Sequence, residues 1–192
     1  MKLILASTSK YRRAQLERLG LPFQAIAPGV DEDEFKSLGF TPRELAERLA
    51  IVKTEAVARG EPDAVVIGGD QVPAIDGDFL DKPETRDRAI AQLERLAGRS
   101  HELITAIAVA QGGQVRHRHA DITRLTMRAL NREEIERYVD ADQPWDCAGS
   151  YRIEARGIAL FERIESQDHT AIQGLPMIAL CSILRDCGLT SP

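Results

Sequence analysis

Leu3-Ile4-Leu5-Ala6-Ser7-Thr8-Ser9-Lys10-Tyr11-Arg12-Arg13 is the stretch from which the fold of this 192-residue chain is read. Its four apolar residues in succession read as a buried strand. Three hydroxyl residues and a basic run follow, and then a helix carrying Leu16 and Leu19. A strand that turns through Ser and Thr into a helix leaves backbone N–H groups unpaired at the helix start. The helix dipole adds partial positive charge at the same place. Together with hydroxyls and guanidinium groups, this makes a cradle suited to a polyphosphate. The same residues allow a plainer reading, with Ser9 as an N-cap and the basic side chains solvated.

Working outward, strand and helix alternate at first and strands then dominate. Phe23 to Ala27 reads as a second strand, and Thr41-Pro42-Arg43-Glu44 has the capping-box pattern with proline at the first helical position. The helix it opens carries Leu45, Leu49 and Val52 at helical spacing and ends near Arg59-Gly60. Ala64-Val65-Val66-Ile67 is a continuous apolar run, as expected of a central strand. Val72 to Phe79 reads as a hairpin turning at Asp76-Gly77, and Arg86 to Leu96 as a helix. Leu103 to Ala110 and Val115 to Met127 read as long antiparallel strands joined at Gly112-Gly113. Asn131 opens a further helix, Ile158 to Arg163 reads as a strand, and Pro176 to Cys187 as a terminal helix. The order implies an α/β or α+β architecture with a long, mixed sheet.

The net charge of −5 argues against a general nucleic-acid or membrane-surface binder, so any basic surface is local. Cys147, Cys181 and Cys187 are odd in number and lack metal-ligand spacing, which suits a reduced, cytoplasmic setting. No segment approaches the length of a membrane span.

Asp70 follows Gly68-Gly69 just past the central apolar run. In open α/β sheets ligands bind outside the carboxyl ends of strands, and two glycines leave room for close approach. A turn aspartate is the alternative. The acidic run Asp31-Glu32-Asp33-Glu34 reads either as a solvated loop or as a source of one metal-holding carboxylate. Lys53 lies on a helix, and Lys82 in a loop before Pro83. His117 and His119 alternate on a strand, but no third ligand stands nearby to make a metal site.

Six short segments, in order, resemble the Maf family of nucleoside triphosphate pyrophosphatases. They are Ser7-Thr8-Ser9-Lys10-Tyr11-Arg12, Arg48 to Ala56 with Lys53, Gly69-Asp70-Gln71-Val72, Leu80-Asp81-Lys82-Pro83, Ala148-Gly149-Ser150-Tyr151 and Gly174-Leu175-Pro176. The resemblance implies a single Maf-like domain over 1–192, similar to inosine triphosphatases, with two lobes flanked by helices and an active-site cleft between them. It implies hydrolysis of the α–β phosphoanhydride with Mg²⁺ or Mn²⁺. Asp70 is then the catalytic base, and Glu32 and Asp70 are the metal ligands. Ser7, Ser9, Arg12, Lys53 and Lys82 hold the triphosphate, with Arg13 as an auxiliary beyond the matching position. Asp81 stands where the family's loop has glycine. A homodimer is a further expectation from the family, and no nucleic-acid or membrane partner is.

Three departures bear on the base. Tyr11 replaces an arginine, Gln71 follows Asp70 where thymidine- or uridine-type members carry threonine, and Glu154 stands where those members carry glutamine. This combination resembles the subfamily that hydrolyses 7-methyl-GTP. A carboxylate accepts hydrogen bonds from both N1–H and the exocyclic amine of guanine. Methylation at N7 makes the base cationic, which favours an acid and an aromatic face. The alternatives are a dTTP/UTP-type pyrophosphatase and a non-catalytic regulator of septum formation acting through a partner.

Overall fold

Strand β1 (Lys2–Ala6) forms where the sequence places its first apolar run. It belongs to a computed structural model that describes residues 1–189. Helices α1 (Lys10–Glu17), α2 (Glu32–Lys36) and α3 (Pro42–Ala58) follow, with β2 (Gln24–Ala25) between α1 and α2. Then come β3 (Ala64–Ile75), β4 (Asp78–Phe79), α4 (Arg86–Leu96), β5 (Ser100–Gln111) and β6 (Gln114–Met127). Helix α5 (Arg132–Asp142), strand β7 (Phe161–Glu165) and helix α6 (Met177–Asp186) complete the order. The strands form one mixed seven-stranded sheet in the order β2-β1-β3-β5-β6-β7, with β4 on β3.

The chain divides into two compact units. The first comprises Met1–Gln71, Thr105–Asp121 and the segment from Asp168 onward; the second comprises Val72–Ile104 and Ile122–Gln167. In the first, β1 runs parallel to both β2 and β3, with Leu3 opposite Val65 and Leu5 opposite Ile67. Alternation along β1 then assigns its two faces. Leu3 and Leu5 pack with Leu16 of α1 and Leu180 and Leu184 of α6. Ile4 and Ala6 pack with Val57 and Ala58 of α3. The sheet is thus covered on both faces, which is why its strands read as continuous apolar runs. Thr41 and Glu44 form the capping box that starts α3.

In the second unit β4 pairs antiparallel with the end of β3 through a turn at Asp76 and Gly77, both with positive φ. Strand β7 pairs antiparallel with the end of β6. Helices α4 and α5 pack against each other, and Arg86 of α4 makes a two-point ion pair with Asp140 of α5. Arg95 and Arg99 bind Asp78 and Asp76, tying the end of α4 and the residues beyond it to the hairpin.

Four expectations need correcting. The second strand is two residues long rather than Phe23 to Ala27: Gln24 and Ala25 pair in register with β1, and Ile26 adds one last bond to the Leu5 carbonyl. The acidic run is not a loop: Asp31 caps the amide of Asp33 and starts α2. The central strand does not stop at Ile67 but continues to Ile75, so Asp70 lies inside β3. Its pairing with β1 ends at Gly68, opposite Ala6, so Asp70 stands two residues beyond the carboxyl end of β1 instead. Finally, Arg156–Leu160 forms a 3-10 turn, and β7 begins only at Phe161.

Candidate active site

The turn from β1 into α1 gathers three of the expected phosphate residues. Ser9 is the N-cap of α1, its Oγ accepting from the Arg12 amide. Ser7 Oγ accepts from the Ser9 amide at 3.1 Å and from Arg12 Nη1 at 3.4 Å. Arg12 Nε donates to the Gly174 carbonyl at 3.1 Å. The plain reading of Ser9 as a cap therefore holds, and the capping bond itself fixes the backbone that aims Arg12. Arg13, one residue on, faces the other way and pairs with Glu17 on the exposed side of the helix. Tyr11 is half-buried, with the Lys10 ammonium 4.9 Å from its ring centre.

The centre of the site is a buried ion cluster. Lys53 Nζ lies 2.6 Å from Asp70 Oδ1 and 2.6 Å from Glu32 Oε1. Lys53 and Asp70 are both 6% exposed, whereas Glu32 reaches in from a more open position. Of the other acids in the run, Asp31 caps α2 and Asp33 pairs with Lys36. Burial pushes the Asp70 carboxyl above its ordinary range, against the opposing pull of Lys53 and Arg12. Burial also lowers the affinity of the Arg12 guanidinium for its proton, while Asp70 and Glu32 act to hold it.

Gly68 makes this cluster reachable. A Cβ there would collide with Thr54 Oγ1 and lie 2.8 Å from the Thr54 amide and 2.9 Å from the Ala50 carbonyl. Helix α3 thus rests directly on the strand backbone, one residue from Lys53. The glycine pair does not open space for a ligand: at Gly69 the same position meets the Ala106 carbonyl at 3.2 Å. Because two of the three obstacles at Gly68 are backbone atoms, Gly68→Ala should cost about 3 kcal/mol, at the upper end for overpacking. For a chain of this length that is roughly a 10 °C fall in Tm. A melting curve within 2 °C of wild type would show that α3 can lift without penalty.

Gln71, expected as a base reader, has its amide nitrogen committed. Nε2 donates to Thr105 Oγ1 at 2.9 Å, to the Ala171 carbonyl at 3.0 Å and to the Ile172 carbonyl at 3.2 Å. Thr105 Oγ1 also donates to Ala171, and Gln15 Nε2 donates to the carbonyls of Thr170 and Leu175. With Arg12 on Gly174, four side chains hold one turn by its carbonyls. Gly174 has φ of 121°, and a Cβ there would lie 3.1 Å from Arg12 Cγ. Thr105 and Gln15 carry no local sequence signal, since a polar residue inside a strand or helix pattern reads only as an interruption.

The remaining expected residues lie in the second unit. Lys82 is exposed on a loop whose neighbours are anchored: Pro83 is buried, and the Asp81 carbonyl accepts from Gln92 Nε2 at 2.9 Å. Asp81 has no positive φ, so the residue replacing glycine fits without strain. Gln92 Oε1 accepts in turn from Ser150 Oγ at 2.6 Å, linking the Lys82 loop to the Ala148–Ser150 turn. Tyr151 is buried, with its hydroxyl 3.0 Å from His101 Nε2 and its ring edge-on to Phe161. Burial pushes His101 down to about 4, so it is neutral near pH 7. Glu154 is exposed on a tight loop closed by the Gly157 amide on the Arg152 carbonyl, where a Cβ on Gly157 would collide. Tyr138 Oη and Asp142 bind the amides of Arg152 and Arg156 and so pin both sides of that loop.

Glu32 and Asp70 already share one cation, the Lys53 ammonium, between hard oxygen donors. Two carboxylates completed by phosphate oxygens and water suit Mg²⁺ or Mn²⁺, which seldom take an all-protein cage. Accordingly, no group of three or more potential ligands occurs among the described residues. None of their helices is long and apolar enough to cross a membrane.

Comparison with known proteins narrows the chemistry. The family described as Maf-like protein matches residues 2–187. A Bdellovibrio bacteriovorus protein named 7-methyl-GTP pyrophosphatase is 50% identical over 188 residues, covering 98% of each chain. Proteins of the same name from Xanthomonas axonopodis pv. citri and Aromatoleum aromaticum are 49% and 48% identical, covering 100% of this chain and 99% and 98% of theirs. Among solved structures, the Ham1 proteins of Staphylococcus aureus and Coxiella burnetii share the fold, each with a TM-score of 0.53 at 16% and 17% identity. They cover 94% and 97% of this chain and 98% and 99% of their own.

Proposed function

This chain belongs to the Maf family, and from that premise we propose that it hydrolyses 7-methyl-GTP to 7-methyl-GMP and pyrophosphate. The line of charge Glu32–Lys53–Asp70, buried at Lys53 and Asp70 and with Arg12 acting on Asp70, carries the proposal. It combines a carboxylate able to take a proton, a pair of hard ligands and two cations for phosphate. The full-length relatives supply the base.

In this reading water attacks the α-phosphorus, and the bond from that phosphorus to the α–β bridging oxygen breaks. Asp70 orients the water and takes its proton. Ser7, Ser9, Arg12, Lys53 and Lys82 hold the phosphates, so most of the rate gain is positioning and charge stabilisation. Glu32 and Asp70 hold a divalent cation, Mg²⁺ or Mn²⁺, which when bound offsets charge on the reacting phosphates. Arg13 is left out, because it is engaged with Glu17 on the exposed face.

For the base, Glu154 accepts from the donor edge of guanine. Tyr11 offers a ring face that already takes one cation, Lys10. With its nitrogen fixed by three acceptors, Gln71 offers its carbonyl oxygen, another acceptor for a donor-rich base edge.

The test is product analysis with a paired substitution. Wild type should release 7-methyl-GMP and pyrophosphate in equal amounts, with no 7-methyl-GDP. Arg12→Ala removes a charge-assisted contact of ~1.5–3 kcal/mol, so kcat/KM should fall roughly 10- to 150-fold. Arg13→Ala should stay within about twofold of wild type, as exposed helix pairs are worth little. Stepwise phosphate release, or equal losses in both variants, would reject the assignment.

A further inference from the structure

We infer that Lys53 occupies the metal's seat in the free protein, so that the cation enters with the nucleotide and the substrate of this site is the metal–nucleotide complex. This rests on the metal reading above. One ammonium nitrogen stands 2.6 Å from an oxygen of each carboxylate, the position a shared cation would take. Mg²⁺ takes oxygens at ~2.0–2.1 Å, so exchange asks each carboxylate to close in by about half an ångström.

Charge decides when the exchange occurs. Two carboxylates facing Lys53 and Arg12 make a group with no net charge, buried at Asp70 and Lys53. A divalent ion arriving alone would have to displace a buried ammonium and then sit beside two cations. It would gain no net negative charge in return. A triphosphate reverses this. Its oxygens give Lys53 a new anionic partner and complete the coordination that two carboxylates leave open. The chain that frees Glu32 and Asp70 is the flexible four-carbon stem of Lys53 on α3, while the helix stays on Gly68.

The experiment follows free Mn²⁺ by its electron paramagnetic resonance signal, with no turnover required. Three proteins are compared: wild type, Lys53→Met and Lys53→Gln, each checked by its melting curve. Each is titrated with Mn²⁺ alone and with Mn²⁺ plus a 7-methyl-GTP analogue carrying an α,β-methylene bridge, and the Mn²⁺ that the analogue chelates without protein is subtracted. Wild type should take up Mn²⁺ at least tenfold more tightly with the analogue than without it. Either lysine variant should bind Mn²⁺ alone at least tenfold more tightly than wild type does. If wild type binds Mn²⁺ alone as tightly as with the analogue, the seat is not held by Lys53 and the inference falls; the wild-type titration decides this even if neither variant folds. Strong uptake with the analogue in all proteins, but no gain in the variants alone, overturns the role of Lys53 and leaves the metal site standing. No uptake by any protein under either condition overturns both.

Discussion

Asp70→Asn should lower kcat for 7-methyl-GTP by ~10²–10⁴, the usual worth of a positioned general base. Asparagine keeps the shape but cannot take the proton from water, and it is a poorer partner for both Lys53 and a cation. The fold should survive. Asp70 is buried with burial opposing its charge, so a neutral amide relieves one desolvation cost while weakening the Lys53 contact. Nucleotide affinity should change far less than kcat, since the proposed phosphate-holding residues Ser7, Ser9 and Arg12 are untouched. Single-turnover rates beside a binding isotherm separate the two. A variant with kcat within threefold of wild type would place the base elsewhere.

Removing divalent cations should have the larger effect. With EDTA the activity should fall to background, and added Mg²⁺ or Mn²⁺ should restore it. The chain offers two hard carboxylates at one cation position and no group of three or more His, Cys, Asp or Glu ligands among the described residues. Oxygen-preferring ions completed by phosphate are therefore the ones that fit. Without the ion, the two cations Arg12 and Lys53 would be left to offset the charge of the phosphates on the proposed reading. Turnover undiminished in chelator would remove the metal role from Glu32 and Asp70 and leave the phosphates to these cations.

The sequence made the elements around this site readable where local rules agree. The capping boxes of α3 and α5, the hairpin turn at Asp76-Gly77 and the apolar run of β3 all appear in the structure as expected. It misled where tertiary contacts overrode local pattern. Gly68-Gly69 reads as room for a ligand just past the central apolar run. In the structure the strand runs on, and the glycines admit α3 and the Ala106 carbonyl. The acidic run reads as a solvated loop or as the source of one metal-holding carboxylate; in the structure it opens α2, and one member of its four, Glu32, turns inward to a lysine 21 positions later. Spacing could not single it out.

The parts that hold the site were the least legible. Thr105, Gln15 and Gln92 act through backbone carbonyls and amide groups distant in sequence. Such contacts leave no periodicity and no motif. Arg12 and Arg13 look equivalent in the sequence, and only the pitch of α1 separates the one on Gly174 from the one on Glu17. For Lys82 and Glu154 the structure adds what positions them, through Gln92 and through the Gly157 closure, and the family motif supplies their proposed roles.

The central claim is the identity of the base, and the most direct measurement is kcat/KM for 7-methyl-GTP against GTP, dTTP and UTP in wild type and Glu154→Gln. A single well-placed contact is worth ~1.4 kcal/mol or more, which is a factor of about ten. Wild type should therefore prefer 7-methyl-GTP over each competitor by at least roughly tenfold. Glu154→Gln should erase most of that preference, because glutamine offers one acceptor where the carboxylate offers two and carries no charge to meet a cationic base. A wild-type enzyme that prefers dTTP or UTP, or a Glu154→Gln variant with unchanged selectivity, would contradict this account.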